Sequence, residues 1–236
     1  MKVILFGSTG MVGQGVLREC LRDPQVESVL TIVRKPAGHP EAKVREIVHE
    51  NFRDFSPIAT ELRGYDACFF CLGVSSAGMN EADYRRVTYA ITMAAAGTLA
   101  RESPNLTFVY VSGAGTDSSG RGRSMWARVK GMTENALLAM PFRAAYMFRP
   151  AFIQPGKGIT SKTPAYRVFY KVLGPLFPAV RALFPRFVTT TEEVGRAMLE
   201  VARHGAPKRV LESADIVALA RRGDRPHGPA PAAVQE

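Results

Sequence analysis

Cysteine and histidine are scarce in this sequence: three cysteines (Cys20, Cys68, Cys71) and four dispersed histidines among 236 residues. That is too few for a disulfide framework, and no metal-ligand spacing accompanies them. Cys68 and Cys71 do form a C-x-x-C, but within an apolar run that reads as a buried strand. Residues three apart on a strand point to opposite faces, so the pair is poorly placed to grip one metal. The expectation is small buried hydrophobes and no metal site. Long apolar runs are lacking too. None reaches the roughly 18 residues of a membrane span, and Met1–Gly7 is too short for a secretory signal. A cytoplasmic protein is expected, on the usual link between free thiols and a reducing compartment.

Acidic residues are in deficit, 21 against 31 Lys and Arg, leaving a formal charge of +10. The cations are scattered, and Arg121, Arg123 and Arg128 cluster only loosely. With no aromatic-interleaved basic stripe and no zinc-finger spacing, nucleic acid is not an expected partner. A basic enzyme with anionic ligands accounts for the charge.

What is present is an alternation of apolar runs and helical stretches. Strands are expected at Lys2–Phe6, Ser28–Val33, Val44–Val48, Asp66–Leu72, Thr107–Ser112 and Ala144–Phe148, and helices at Met11–Leu21, Phe55–Leu62, Glu81–Ala100 and Met125–Leu138. Strands apolar throughout suit a sheet covered on both faces, and the β–α alternation implies a parallel one. The expected fold is a single α/β Rossmann-type doubly wound domain over residues 1–220. Within it, residues 151–220 form a short helical substrate region, with a flexible tail at 221–236. In that region Thr190 and Glu193 have capping-box spacing for a helix through Ala202. A short strand is expected at Arg209–Leu211, with Ser213 capping one more helix. Tyr166–Phe184 is apolar with interspersed cations and reads as core, substrate lid, oligomer contact or peripheral membrane contact.

Gly7-Ser8-Thr9-Gly10-Met11-Val12-Gly13 joins the first strand to the first helix. Glycines at 7, 10 and 13 permit the tight turn, the approach of a pyrophosphate and close helix–strand packing, and the helix start offers free N–H groups. About 20 residues on, where an acid would hold an NAD ribose, the chain has Arg34 and Lys35. Two cations suit a 2′-phosphate, so NADP(H) is favoured over NAD(H).

With Val109-Tyr110-Val111-Ser112-Gly113 and Val129-Lys130-Gly131, that loop resembles the short-chain dehydrogenases/reductases. Cys71-Leu72-Gly73, Val129–Glu134 and Phe148-Arg149-Pro150-Ala151 resemble more closely their atypical, single-domain branch, the Tat-interacting-protein-like one, with its epimerase-like relatives. The resemblance implies that Ser112 orients a substrate carbonyl and that Lys130 holds the ribose. It also implies that Leu72, Gly73, Pro150 and Phe152 border the cofactor. The proton-transferring Tyr of the family is Trp126 here, and a helix Asn is Thr88. An indole donates a hydrogen bond but exchanges no proton near neutrality. Tyr84, which opens the helix after the fourth strand, is a candidate replacement acid, and Ser75, Ser76 and Thr116 are others.

The resulting expectation is an NADPH-dependent oxidoreductase acting on a small apolar carbonyl or enone-like substrate. The alternatives are a non-catalytic NADP(H)-sensing regulatory or scaffold protein and, behind it, an epimerase or dehydratase.

Overall fold

The computed structural model describes residues 1–159 and 187–223. Their strands are β1 (Lys2–Phe6), β2 (Ser28–Val33), β3 (Val44–Val48), β4 (Ala67–Phe70), β5 (Thr107–Val111), β6 (Ala144–Arg149), β7 (Phe152–Gln154), β8 (Val188–Thr190) and β9 (Val210–Glu212). The helices are α1 (Met11–Arg22), α2 (Glu81–Arg85), α3 (Ile91–Glu102), α4 (Met125–Leu138), α5 (Thr191–His204) and α6 (Ser213–Gly223), with a 3₁₀ helix at Ser56–Leu62.

Seven strands form one sheet in the order β3-β2-β1-β4-β5-β6-β9, every adjacent pair parallel. The order reverses between β1 and β4, which is the switch point at which open α/β sheets place ligands. Successive strand residues face opposite ways, so each central strand feeds two cores. Val3, Leu5 and Phe69 pack with Val16, Leu17, Val194, Met198 and Ile216 under α1, α5 and α6. Ile4, Phe6, Cys68 and Phe70 pack with Phe52, Phe55, Leu99 and Leu137 on the other side. Cys68 thus lies in one core while Cys71 packs against the other, and among the described residues no group could hold a metal.

The expected strands and helices are all found, with ends shifted by a residue or two. Three differences stand out. The segment before β4 is a 3₁₀ helix, with Pro57 in its first turn. The expected single helix from Glu81 is interrupted by a π-helical turn at Arg86–Ala90. The expected tail begins helically, since α6 runs to Gly223 and buries Ile216, Leu219 and Ala220; residues 224–236 lie outside the described residues. Ser213 starts α6 as expected, but its hydroxyl accepts from the Ala151 N–H at 2.7 Å. The capping box is formed in full: Thr190 Oγ1 accepts from the Glu193 N–H, and the Glu193 carboxylate accepts from the Thr190 N–H. The β7–β8 ribbon was not expected, because a three-residue strand carries too little pattern to be read. The Tyr166–Phe184 stretch lies outside the described residues. No helix among the described residues is long and apolar enough to cross a membrane.

Candidate functional site

Because every strand of the large sheet is parallel, their C-terminal ends share one edge, and the loops leaving β1, β2, β4, β5 and β6 meet there. At β1, Gly7 has φ +81°, and a Cβ on it would lie 2.8 Å from the Cys71 carbonyl. A Cβ on Gly13 would lie 2.0 Å from the Gly7 oxygen. The backbone at both positions is pressed so close to its neighbours that only glycine fits. Gly10 N–H donates to Gly7 O at 2.9 Å, and Gln14 Nε2 donates to Thr9 O at 3.1 Å, so the turn is braced from within.

Gly10 is the N-cap of α1 and supplies no side-chain cap, so the first N–H groups of the helix, at Met11, Val12 and Gly13, are left for an anion. Ser8 is fully buried, and its hydroxyl has no hydrogen-bond partner among the described residues. A buried, unsatisfied hydroxyl costs free energy, and a phosphate oxygen would relieve it. The loop therefore fits a pyrophosphate.

A cavity of about 810 Å³ opens beside it, lined by Ser8, Thr9, Gln14, Arg34, Lys35 and His39. Arg34 and Lys35 leave β2 exposed, with the Arg34 guanidinium 6.0 Å from the Phe52 ring centroid. Both cations line the same space as Ser8 and Thr9.

Leu72 and Gly73 follow β4 next to Gly7, half-buried and exposed respectively. Lys130, on α4, reaches under the end of β5: Nζ donates to Ser112 O at 2.6 Å and to Val111 O at 3.3 Å, with the Tyr110 ring 5.6 Å away. Burial pulls its ammonium down to about 8, and Glu134, one turn further on, opposes that shift only in part. Trp126 lies one turn earlier on α4, half-buried, with its benzo edge 3.7 Å from where a Gly115 Cβ would be. Pro150 O accepts from the Ala114 N–H at 3.0 Å, tying the β6 end to the β5 loop. Phe152 is half-buried in β7, its N–H bonded to Phe187 O.

Two expected catalytic assignments do not match this geometry. Ser112 is turned inward: its hydroxyl donates to Glu134 Oε1 at 2.5 Å and also lies 3.1 Å from Phe148 O. One hydroxyl has one proton, and the carboxylate takes it, leaving none for a substrate carbonyl. Tyr84 is only 2 % exposed, so it opens onto no substrate space. Among the lesser candidates, Thr116 donates to Gly113 O at 2.7 Å, and Ser75 Oγ accepts from the Ala77 N–H. Ser76 is half-buried in the same loop. Thr88 falls in the π-helical turn, its hydroxyl buried without a partner among the described residues.

Sequence reasoning missed the group that organises this end of the sheet. Glu134 is wholly buried, and its carboxylate receives Ser112, the Arg149 guanidinium (Nε to Oε1 at 3.0 Å) and Ser118. The usable signal was a carboxylate on the α4 face that also carries Val129, Thr133 and Leu137, facing a lone Arg at the end of an apolar strand.

A scan of known family models finds none that matches the chain. A curated relative, "Protein FMP52, mitochondrial" of Debaryomyces hansenii, is 26% identical over 204 residues, spanning 86% of this chain and 88% of the relative. The expectation of a cytoplasmic protein is corrected by this comparison, because the curated relatives are named as mitochondrial proteins. Cysteine usage cannot make that distinction. Among solved structures, the Bordetella bronchiseptica enzyme WbmF in complex with NAD+ superposes with a TM-score of 0.64 at 15% identity, over 94% of this chain and 77% of the other. An oxidoreductase of the short-chain dehydrogenase/reductase family from Burkholderia thailandensis superposes with a TM-score of 0.65 at 14% identity, over 92% of each chain. The chain has the Rossmann fold of the short-chain dehydrogenases/reductases and their NAD-dependent epimerase-like relatives.

Proposed function

We propose that the protein is a dinucleotide-dependent oxidoreductase that takes NADPH in preference to NADH and reduces a small apolar carbonyl or enone-like substrate. The observation that carries the reading is the continuity of the glycine cradle, the orphaned Ser8 hydroxyl and the Arg34–Lys35 pair around one cavity. The uncapped start of α1 and Ser8 would hold the pyrophosphate, Arg34 and Lys35 the 2′-phosphate, and Lys130 the nicotinamide end. The bound dinucleotide would supply hydride; the chain supplies orientation, exclusion of water and a proton. WbmF and its neighbours were solved with NAD(H), so the preference for the phosphorylated cofactor rests on the two cations of this chain alone.

Calorimetric titration tests the reading. NADPH should bind at least tenfold more tightly than NADH, and replacing Arg34 and Lys35 by Ala should remove that margin while leaving NADH nearly unaffected. Equal losses for both cofactors would refute the 2′-phosphate assignment. Trp126 favours a second reading, an NADP(H)-responsive regulatory protein without turnover. A panel of ketones and quinones, followed by the loss of NADPH absorbance, separates the two.

A further inference from the structure

A carbonyl reduction needs a proton as well as a hydride, and the described residues at the β5 and β6 ends narrow the choice of donor. Trp126 donates but does not exchange protons. The Ser112 proton belongs to Glu134, and that of Thr116 to Gly113 O. Tyr84 and Tyr110 are buried, and burial pushes the Tyr110 phenol up. Lys130 remains, half-buried, with its nitrogen at the edge where the strand ends meet.

Its hydrogen bonds suit both protonation states. A neutral amine has two N–H groups and a lone pair, and an ammonium has a third N–H in the lone pair's place. Two N–H groups donate to Ser112 O and Val111 O, and among the described residues no oxygen accepts a third. Nζ can therefore lose and regain one proton with both carbonyl contacts intact. The charged and titratable groups packed around it are largely committed elsewhere. Glu134 is locked to Arg149 from β6, and Glu81 of α2 to Arg128 of α4. Asp117, in the loop before α4, accepts from the Ser119 and Gly122 N–H groups. Tyr110 from β5 offers its ring face, and Tyr84 of α2 is buried nearby.

We propose that Lys130 is itself the catalytic acid, its ammonium protonating the substrate oxygen in the reduction and its amine accepting the proton in the reverse reaction. This inference rests on the oxidoreductase reading above. As the carbonyl carbon receives hydride from a dihydronicotinamide, the C=O π pair moves onto oxygen. An O–H bond then forms there while one Lys130 Nζ–H bond breaks. Alcohol, oxidised nicotinamide and neutral amine result, and solvent returns the proton to Nζ. An ammonium pulled down to about 8 is matched to this task, being largely charged at neutral pH yet a competent donor.

The test uses the full chain, wild type and with Lys130→Arg, Lys130→Met and Lys130→Ala. With lysine isotopically labelled at Cε, one resonance should titrate near pH 8 and vanish in the Lys130→Met protein. A Lys130 resonance titrating at the ordinary 10.5 would overturn the proposal. With phenyl trifluoromethyl ketone as probe, reduction by the wild type should fall as pH rises through about 8 and oxidation of the alcohol should rise. Lys130→Arg, which keeps a charge but gives up no proton, should lose at least about a hundredfold in kcat. Methylamine should restore part of the lost rate to Lys130→Ala, which a merely structural lysine would not allow. Undiminished kcat in Lys130→Arg, or an unchanged pH profile, refutes the assignment. If the wild type fails to bind NADPH, or binds it and reduces no member of the panel, the oxidoreductase reading itself fails.

Discussion

Glu134 has no solvent contact, yet its carboxylate holds together the end of β5, the end of β6 and the loop at Ser118. A buried ion pair is at best weakly stabilising against an apolar replacement, but removing one partner strands the other. Glu134→Ala should therefore cost about 3 kcal/mol or more by denaturant unfolding. Arg149→Met combined with Glu134→Leu should cost much less than the single change, which a double-mutant cycle would measure. Lys130 makes a second prediction at this scale. Its folded-state value lies below the ordinary one, so between about pH 8 and 10.5 the unfolded chain carries the extra proton. Stability from this group is then lowest below pH 8 and rises with pH across that window. Relative to Lys130→Met, the wild type should gain roughly 3 kcal/mol between neutral pH and pH 10.5.

Among the elements, α1 and α5 lie side by side under β1, and the start of each sets the geometry above it. At α5, the reciprocal Thr190–Glu193 box satisfies two end groups. Thr190→Ala should cost about 1 kcal/mol in urea unfolding without touching dinucleotide affinity. At α1 the outcome reverses. Gly13→Ala would set a Cβ 2.0 Å from the Gly7 oxygen, forcing the helix start away from the turn. Its stability loss should be roughly 1–3 kcal/mol, and calorimetry should show NADPH binding lost altogether. A Gly13→Ala protein that bound NADPH normally would mean the cradle is not the binding site. A π-helical turn at Arg86–Ala90 joins α2 to α3, and such turns recur at functional positions.

For the whole molecule, the consequence of the proposed site is linkage. A ligand that binds only the folded chain stabilises it by about 2.7 kcal/mol at a hundredfold excess over Kd. For a chain of this size that corresponds to roughly 5–10 °C in Tm. NADPH should produce a rise of that order and NADH a smaller one at equal concentration, measured by thermal unfolding. Raising salt should erode the difference, since Arg34 and Lys35 are exposed and screened.

Much of this architecture was legible in the residues themselves. Period and composition located the strands of the sheet core and the α1 and α4 helices, because an apolar strand covered on both faces and an amphipathic helix leave opposite signatures in sequence. The glycine triplet was legible for the same local reason: its conformational demand lies within seven residues, Gly7 to Gly13. The cations after β2 were also readable, because their offset from the glycine loop fixes where the switch point brings them. What the sequence could not supply was direction and partnership. Whether Ser112 faces substrate space or the protein interior depends on Glu134 and Arg149, 22 residues along the chain from Ser112 in one case and at the end of another strand in the other. Hydrogen-bond choice between such groups is decided by three-dimensional proximity and burial, which no local pattern encodes. The same holds for Tyr84, whose exposure is set by α4 packing over it, and for Lys130, whose lowered proton affinity is a property of the desolvated space that β5 and α4 enclose. Sequence alone determined a parallel Rossmann sheet with a glycine-built turn at the start of α1, since those follow from local pattern and glycine chemistry. Tertiary structure alone decided which of the expected catalytic groups keeps a proton to give, because that depends on which neighbours desolvate or bind it.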